Sequence, residues 1–183
     1  PIQENWLPWP VHCLAKPTQL ILLPYLMLQM ASAFAQNSAT VIRVVDGDTY
    51  QMLKGKRIFT VRLLNVDAPE TKQIFGEAAK DSVSKLILGK TVVVDSLKLD
   101  LYNRLLASVT INGKALDSIM VSNGWAWHYI EYSNKPELAI MQETAIDKHL
   151  GLWKCGTSNV CPPKVFRSLN AKNRVKYCKG CNS

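Results

Sequence analysis

VIRVVDGDTYQMLKGKRIFTVRLLNVDAPE, residues 41–70, consists of short runs of β-branched residues separated by turn signals. The runs at 41–45, 49–53 and 57–66 predict three β-strands. The turn-like tripeptide at 54–56, Lys-Gly-Lys, separates the second strand from the third. This stretch therefore predicts a strand meander at the start of the folded region.

Downstream of this meander the chain alternates helices and strands. Apolar residues recur at three-and-four spacing over residues 77–88, and Gly89 suits the C-terminal cap of a helix. Two more strands are predicted at 91–97 and 105–111, and two more helices at 115–123 and 137–149. Five strands with a helix after the third favour a five-stranded β-barrel of the OB-fold type with three helices over a βαβ sheet.

Length and charge limit the class of protein. The 183 residues suffice for one domain with appendages, and a chain that is 48% apolar and 20% charged is neither disordered nor collagen-like. The net charge of +8 favours a polyanionic partner, such as nucleic acid or an acidic membrane surface. Residues 154–183 hold seven Lys or Arg and no acid, whereas residues 36–153 hold 14 bases and 13 acids. We therefore predict a domain at 36–153 and a basic C-terminal extension at 154–183.

The first 35 residues have features of a leader. An apolar run at 20–28 precedes the sequence ASAFAQ, in which the spacing of Ala33 and Ala35 fits a signal peptidase. The run is too short to cross a bilayer, so we predict a signal peptide at 1–35, export to the periplasm or medium, and no stable membrane insertion afterwards. The long preceding segment, with Lys16 as its only base, is unusual for a leader. The alternative is a buried N-terminal helix.

Four cysteines lie in the extension: Cys155, Cys161, Cys178 and Cys181. An even number in an exported chain favours two disulfides, with the pairing open. A four-thiolate zinc site is the alternative, although the spacing of the first two cysteines is wide for such a site.

Acids and arginines cluster at the predicted strand ends. Asp48 follows the first strand, Arg62, Asp67 and Glu70 follow one another from the third strand into a loop, and Arg104 precedes the fifth strand. Carboxylates provide hard oxygen ligands for Ca²⁺, arginines fork around phosphate oxygens, and a further glutamate can take a proton from water. Together these groups predict phosphodiester hydrolysis.

Over about residues 39–153 the sequence resembles the staphylococcal nuclease family. The resemblance rests on the strings VVDGDT, VRLLNVDAPE, FGEAA and LYNRLLASV, in this order, and on GLW near the last helix. The resemblance implies an OB-fold barrel and a Ca²⁺-dependent endonuclease that cuts DNA and RNA and leaves 3′-phosphate ends. A monomer acting on nucleic acid is expected.

The resemblance also implies a role for each matching position. It implies a metal site from Asp48, Asp67 and the backbone carbonyl of Ala68, with Asp46 in support. It implies that Arg62 and Arg104 bind the phosphate, that Glu70 is the general base, and that Tyr102 contacts a flanking phosphate.

Three departures from the family pattern bear on the site. Ala68 replaces a threonine, but the resemblance implies that this position binds metal through its backbone carbonyl, which alanine also has. Asn103 replaces a glycine before the second arginine, which asparagine tolerates even at positive φ. Leu101 replaces a basic residue that reaches a substrate phosphate, so we expect the basic extension to supply some of that binding.

Four aromatic residues either stack on a nucleobase or belong to the core: Trp125, Trp127, Tyr129 and Tyr132.

Two functions remain compatible with these residues. The favoured one is the exported nuclease, because all the expected acids and arginines are present. The alternative is a catalytically silent OB-fold module that binds nucleic acid.

Overall fold

The structure is a computed structural model that describes residues 37–158 and 160–180. These residues belong to one compact unit. The predicted signal peptide at 1–35 and Cys181 lie outside the described residues. The described strands are β1 (Ser38–Val44), β2 (Thr49–Lys54), β3 (Arg57–Leu63), β4 (Val66–Asp67), β5 (Thr91–Leu99), β6 (Leu105–Ile111), β7 (Lys114–Ala115) and β8 (Trp127–His128).

Five of these strands close a barrel. β3, β2, β1, β5 and β6 are joined in that order by antiparallel pairs, and a parallel pairing between β3 and β6 completes the ring. In that parallel pair Val61 lies opposite Leu105. The short β4 and β8 form a separate antiparallel pair. The predicted five-stranded OB-type barrel is therefore confirmed.

The core fills the barrel with the inward-facing residues of its strands. Val41, Tyr50, Met52 and Val61 have no accessible surface. Val41 and Val61 are β-branched, which suits the pleated surface of a strand. Leu116, the first residue of a helix that packs against the barrel, is equally buried. Burying one such side chain stabilises the fold by roughly 1.5–3 kcal/mol.

The predicted third strand is shorter than the pattern at 57–66 indicated. β3 ends at Leu63, and Asn65 adopts a φ of 67° before β4 begins. An extended strand does not tolerate this left-handed conformation, which asparagine adopts more readily than most residues. The resulting turn leads the chain into β4, which ends at Asp67, and then into the loop that holds Glu70.

The described residues contain five α-helices rather than the three predicted. α1 (Gly76–Ile87), α2 (Leu116–Ser122) and α3 (Pro136–Asp147) match the predicted three. The other two, α4 (Pro163–Ser168) and α5 (Ala171–Tyr177), belong to the extension. No helix in the described ranges has the length and apolar character needed to span a membrane.

A disulfide between Cys161 and Cys178 links the two ends of the α4–α5 segment. Phe166 packs against it, and the Arg174 guanidinium lies 4.5 Å from the centre of the Phe166 ring. Cys155 is also disulfide-bonded. The predicted disulfide chemistry is thus confirmed for the described cysteines, whose sulfurs are then not available to zinc as thiolates.

Candidate active site

The turn between β1 and β2 presents the first acids. The backbone N–H of Asp48 donates to Asp46 Oδ1 at 3.1 Å, so Asp46 stabilises the turn that holds Asp48. The Tyr50 hydroxyl donates to the Gly47 carbonyl at 2.7 Å from inside the barrel. A Cβ on Gly47 would lie 2.6 Å from that of Ala68, so glycine is required for the close approach of the two loops.

Arg62, near the end of β3, joins the two predicted metal ligands. Its Nη1 lies 2.5 Å from Asp48 Oδ2, and its Nη2 lies 2.9 Å from Asp67 Oδ1. Its Nη1 also donates to the carbonyl of Val66 at 3.3 Å. These contacts hold the guanidinium between the two carboxylates, with its side chain 13% exposed.

Two pairings position Asp67 and Ala68. Asp67 lies opposite Trp127 in the β4–β8 pair. The N–H of Ala68 donates to Asp48 Oδ2 at 2.6 Å, so the described contact of Ala68 is made by its amide and not by its carbonyl. The expected carbonyl ligand thus stays a prediction.

Burial disfavours negative charge at both aspartates. It raises the pKa of Asp48 to about 7 in spite of the opposing effect of Arg62. It also raises the pKa of Asp67. Burial opposes the charge of Arg62, but the nearby Asp48 and Asp67 raise its pKa, so this arginine stays a cation.

The donor chemistry fits calcium. Asp48 and Asp67 provide only oxygen atoms, which Ca²⁺ prefers, and their burial favours a nearby cation. No cluster of three or more His, Cys, Asp or Glu with metal-binding geometry occurs in the described ranges. Because Ca²⁺ takes about six to eight oxygen ligands, an ion held by these two carboxylates would also need backbone carbonyls or water.

Glu70 lies beyond Pro69, on the loop that leads to α1. Its side chain is 37% exposed, and Arg167 Nη1 lies 2.5 Å from its Oε1. Arg167 Nη2 lies 3.4 Å from Asp67 Oδ2. The backbone N–H of Glu70 donates to Gln73 Oε1 at 3.1 Å, while Gln73 Nε2 donates to the carbonyl of Cys161 at 2.5 Å. The extension therefore contacts the Glu70 side chain directly through Arg167 and reaches the Glu70 backbone only through the Gln73 side chain.

Arg104 and Tyr102 lie on the β5–β6 turn, where Asn103 adopts the anticipated positive φ of 60°. The guanidinium of Arg104 lies 5.3 Å from the centre of the Tyr102 ring and pairs with Asp100 Oδ2 at 2.7 Å. Within the described residues no hydrogen bond or ion pair joins either side chain to Asp48, Asp67 or Glu70. The β3–β6 pairing nevertheless places this turn at the end of the barrel that holds Arg62.

Tyr129 and Tyr132 form an aromatic pair near Asp67. Their rings are 4.7 Å apart, and Tyr132 is exposed. Burial and the charge of Asp67 raise the pKa of Tyr129. Trp125 instead packs against the barrel core, and Trp127 makes an edge contact with Trp153 at 5.6 Å. Of these four aromatic residues, only Tyr132 is exposed, while the other three are half-buried.

Residues 60–155 match the family described as staphylococcal nuclease homologue. The chain belongs to the staphylococcal nuclease family. The resemblance inferred from the sequence is thus confirmed.

Relatives named as nucleases occur in bacteria and plants. A protein named as an uncharacterized endonuclease from Escherichia coli O157:H7 is 37% identical over 69% of this chain and 82% of its own length. A protein named micrococcal nuclease from Shigella flexneri is 35% identical over 77% of this chain and 87% of its own. The staphylococcal-like nuclease CAN1 of Arabidopsis thaliana is 34% identical over 70% of this chain and 39% of its own.

The structure brings most of the predicted site residues of this family member into contact. Hydrogen bonds and ion pairs link five of them into one cluster, which consists of Asp46, Asp48, Arg62, Asp67 and Ala68. Arg167 extends this cluster to Glu70.

Sequence reasoning missed three supporting residues: Asp100, Gln73 and Arg167. An aspartate opening a turn is a signal that could have identified Asp100. For Arg167 no local signal exists, because its partners lie far away in the chain.

Proposed function

We propose that this protein is a Ca²⁺-dependent endonuclease that hydrolyses phosphodiester bonds of DNA and RNA and leaves 3′-phosphate ends. The main support is one observation: two buried carboxylates, joined by Arg62, lie beside an accessible glutamate at one end of the barrel. The relatives named as endonucleases support the same reaction class.

Asp48 and Asp67 would hold the calcium ion, with the carbonyl of Ala68 as a third protein ligand. Bound there, calcium would neutralise negative charge on a phosphate oxygen. Glu70 would take a proton from a water molecule as its oxygen forms a bond to phosphorus. The bond from phosphorus to the 5′-oxygen breaks, and that oxygen takes up a proton, which leaves a 3′-phosphate and a 5′-hydroxyl.

The arginines would bind the remaining phosphate oxygens. Arg62, which contacts Asp48 and Asp67, would exchange these contacts for phosphate oxygens, and Arg104 would approach from the β5–β6 turn. A guanidinium can donate two parallel hydrogen bonds to a phosphate, and one preorganised donor of this kind contributes about 3–4 kcal/mol to transition-state stabilisation. Tyr102 would contact a flanking phosphate, and the exposed Tyr132 with Tyr129 would stack on a base.

The decisive experiment is digestion of a supercoiled plasmid and of a structured RNA with Ca²⁺, with Mg²⁺ and with EGTA. We expect cleavage with Ca²⁺ only, and 3′-phosphate ends on the products. Glu70→Gln should lower turnover by at least about 10²-fold, because an amide cannot accept the proton. Binding of a labelled oligonucleotide without cleavage under every condition would instead identify a silent nucleic-acid-binding module.

We also propose that the protein is exported and that residues 1–35 are removed in the process. The mature protein would be a monomer. The Cys161–Cys178 disulfide supports an oxidising compartment. The N-terminal sequence of the protein recovered from periplasm or medium should begin at Gln36. Retention of the full chain in the reducing cytoplasm would refute this localisation.

A further inference from the structure

Arg167 connects the C-terminal extension to the catalytic loop. In the described part of the chain it is the only basic side chain of the extension that pairs with an acid of the site. Its Nη1 contacts Glu70 Oε1 at 2.5 Å, whereas its Nη2 is 3.4 Å from Asp67 Oδ2. Glu70 is therefore its closer partner.

Several contacts fix the helix on which Arg167 lies. Phe166 packs on the Cys161–Cys178 disulfide, and Gln73 donates to the carbonyl of Cys161. Lys164, one helical turn before Arg167, pairs with both carboxylate oxygens of Glu131 at 2.8 and 2.9 Å. Since residues three apart lie on the same helix face, α4 spans from the Glu70 loop to the loop that holds the tyrosine pair.

The contact between Arg167 and Glu70 leaves one carboxylate oxygen of Glu70 free to accept a proton. Only Oε1 is held by Arg167, and among the described residues no hydrogen bond or ion pair involves Oε2. A glutamate that is 37% exposed otherwise samples several rotamers, and ordering such a side chain costs free energy. The guanidinium fixes one oxygen and so directs the other.

We infer that Arg167 is a positioning residue for Glu70, and that the disulfide-linked extension is thereby part of the active site. The inference rests on the proposed function, because it assigns Arg167 to the proton-transfer step of that reaction. Its effect is on turnover, since a general base needs to be within hydrogen-bond reach of the water. The barrel domain and the extension then form one catalytic unit.

A double-mutant cycle tests this inference. Arg167→Ala, Glu70→Gln and the double variant are compared for kcat and KM on DNA with Ca²⁺. The dissociation constant for a labelled oligonucleotide is measured in EGTA, and the unfolding midpoint verifies folding. Arg57→Ala is the matched control, because Arg57 is exposed on β3 about 17 Å from Arg62 at a strand rise of 3.3 Å per residue.

Arg167→Ala should lower kcat about 10- to 100-fold, with KM and the dissociation constant changing less than about threefold. Arg167→Lys should recover part of the loss, because one donor to Oε1 suffices. In the Glu70→Gln background Arg167→Ala should have no further effect on kcat.

Other outcomes separate the alternatives. An additive loss in the double variant, a loss confined to binding, or a rise in kcat on removing Arg167 would each overturn the inference. If Glu70→Gln itself keeps wild-type turnover, the proposed base is wrong. If Glu70→Gln is inactive and Arg167→Ala is normal, the proposed function stands and only the role of Arg167 is lost.

Discussion

Asp100 holds Arg104 at two points: Oδ1 accepts the backbone N–H of Arg104 at 2.9 Å, and Oδ2 accepts its Nε–H at 2.8 Å. The same Oδ1 accepts the N–H of Tyr102 at 2.9 Å. These bonds shape the turn in which Asn103 adopts a positive φ, and they lower the pKa of Asp100 although burial opposes this shift. The direction of the Arg104 guanidinium is thus set by a residue outside the expected site.

Arg62 and Arg104, the two arginines of the proposed site, should tolerate lysine poorly. Arg62→Lys and Arg104→Lys keep the charge but lose the planar fork, so each should lower kcat/KM by at least about 10-fold. Arg57→Lys, on the exposed β2–β3 hairpin, should change kcat/KM less than twofold. Steady-state kinetics on a short oligonucleotide measures all three. Wild-type kinetics for Arg62→Lys or Arg104→Lys would assign that arginine to stability alone.

Asp100→Asn should affect catalysis through Arg104. An asparagine can still accept the backbone N–H bonds, but the ionic contact with the guanidinium is lost. We expect a lower kcat/KM in the variant and a much smaller effect when Arg104 is already lysine. Equal effects in the two backgrounds would show that Asp100 does not act through Arg104.

Calcium should stabilise the folded protein as well as activate it. A ligand that binds only the native state raises its stability by RT ln(1 + [L]/Kd), so calorimetry should show a higher Tm with added Ca²⁺ and a smaller rise with Mg²⁺. Asp67→Asn should abolish the rise, whereas Asp81→Asn, on the exposed face of α1, should retain it. A calcium-induced rise that survives in Asp67→Asn would place the ion elsewhere.

Asp117 should stabilise the protein in a pH-dependent manner. Burial opposes its charge, but hydrogen bonds from Lys135 and Asn65, both at 2.8 Å, lower its pKa. Because the folded pKa is depressed, the stabilisation is present above about pH 4 and is lost as the pH falls through the folded value. Asp117→Asn should lower the free energy of unfolding at pH 7 by about 1–3 kcal/mol.

Urea unfolding at pH 7 and pH 3 measures this effect. The difference between wild type and Asp117→Asn should shrink at the lower pH, because the stabilisation by the Asp117 charge is lost as the pH falls through its depressed folded pKa. A difference independent of pH would mean that shape and not charge determines the role of Asp117.

Removal of the Cys161–Cys178 disulfide should impair turnover more than the stability of the barrel. With both cysteines changed to alanine, α4 loses its covalent link to the end of α5, and Arg167 is less firmly held. We expect kcat to fall toward that of Arg167→Ala while the main unfolding transition moves little. If kcat is unchanged, Gln73 and Phe166 suffice to hold α4.

The sequence predicted the elements whose signals are local. Strand β2 and helix α1 each follow from neighbouring residues, and the family strings identified the acids, the arginines and the turn at Asn103. Asp100 was missed because its importance depends on where the Arg104 side chain points. Arg167 was missed because it contacts Glu70 only after the extension packs against the barrel. The extension has seven basic residues among its thirty, and the sequence does not show which of them contacts Glu70.

The parallel pairing of β3 with β6 also has a consequence for how the chain acquires activity. These strands are distant in the chain, so their association carries a loop-closure cost that the local hairpins avoid, and it is expected to be slow. Arg62 lies on β3 and Arg104 immediately before β6, so intermediates with hairpins and helices but an open barrel lack the site. During refolding, cleavage activity should therefore return with the slowest fluorescence phase, after helical circular dichroism.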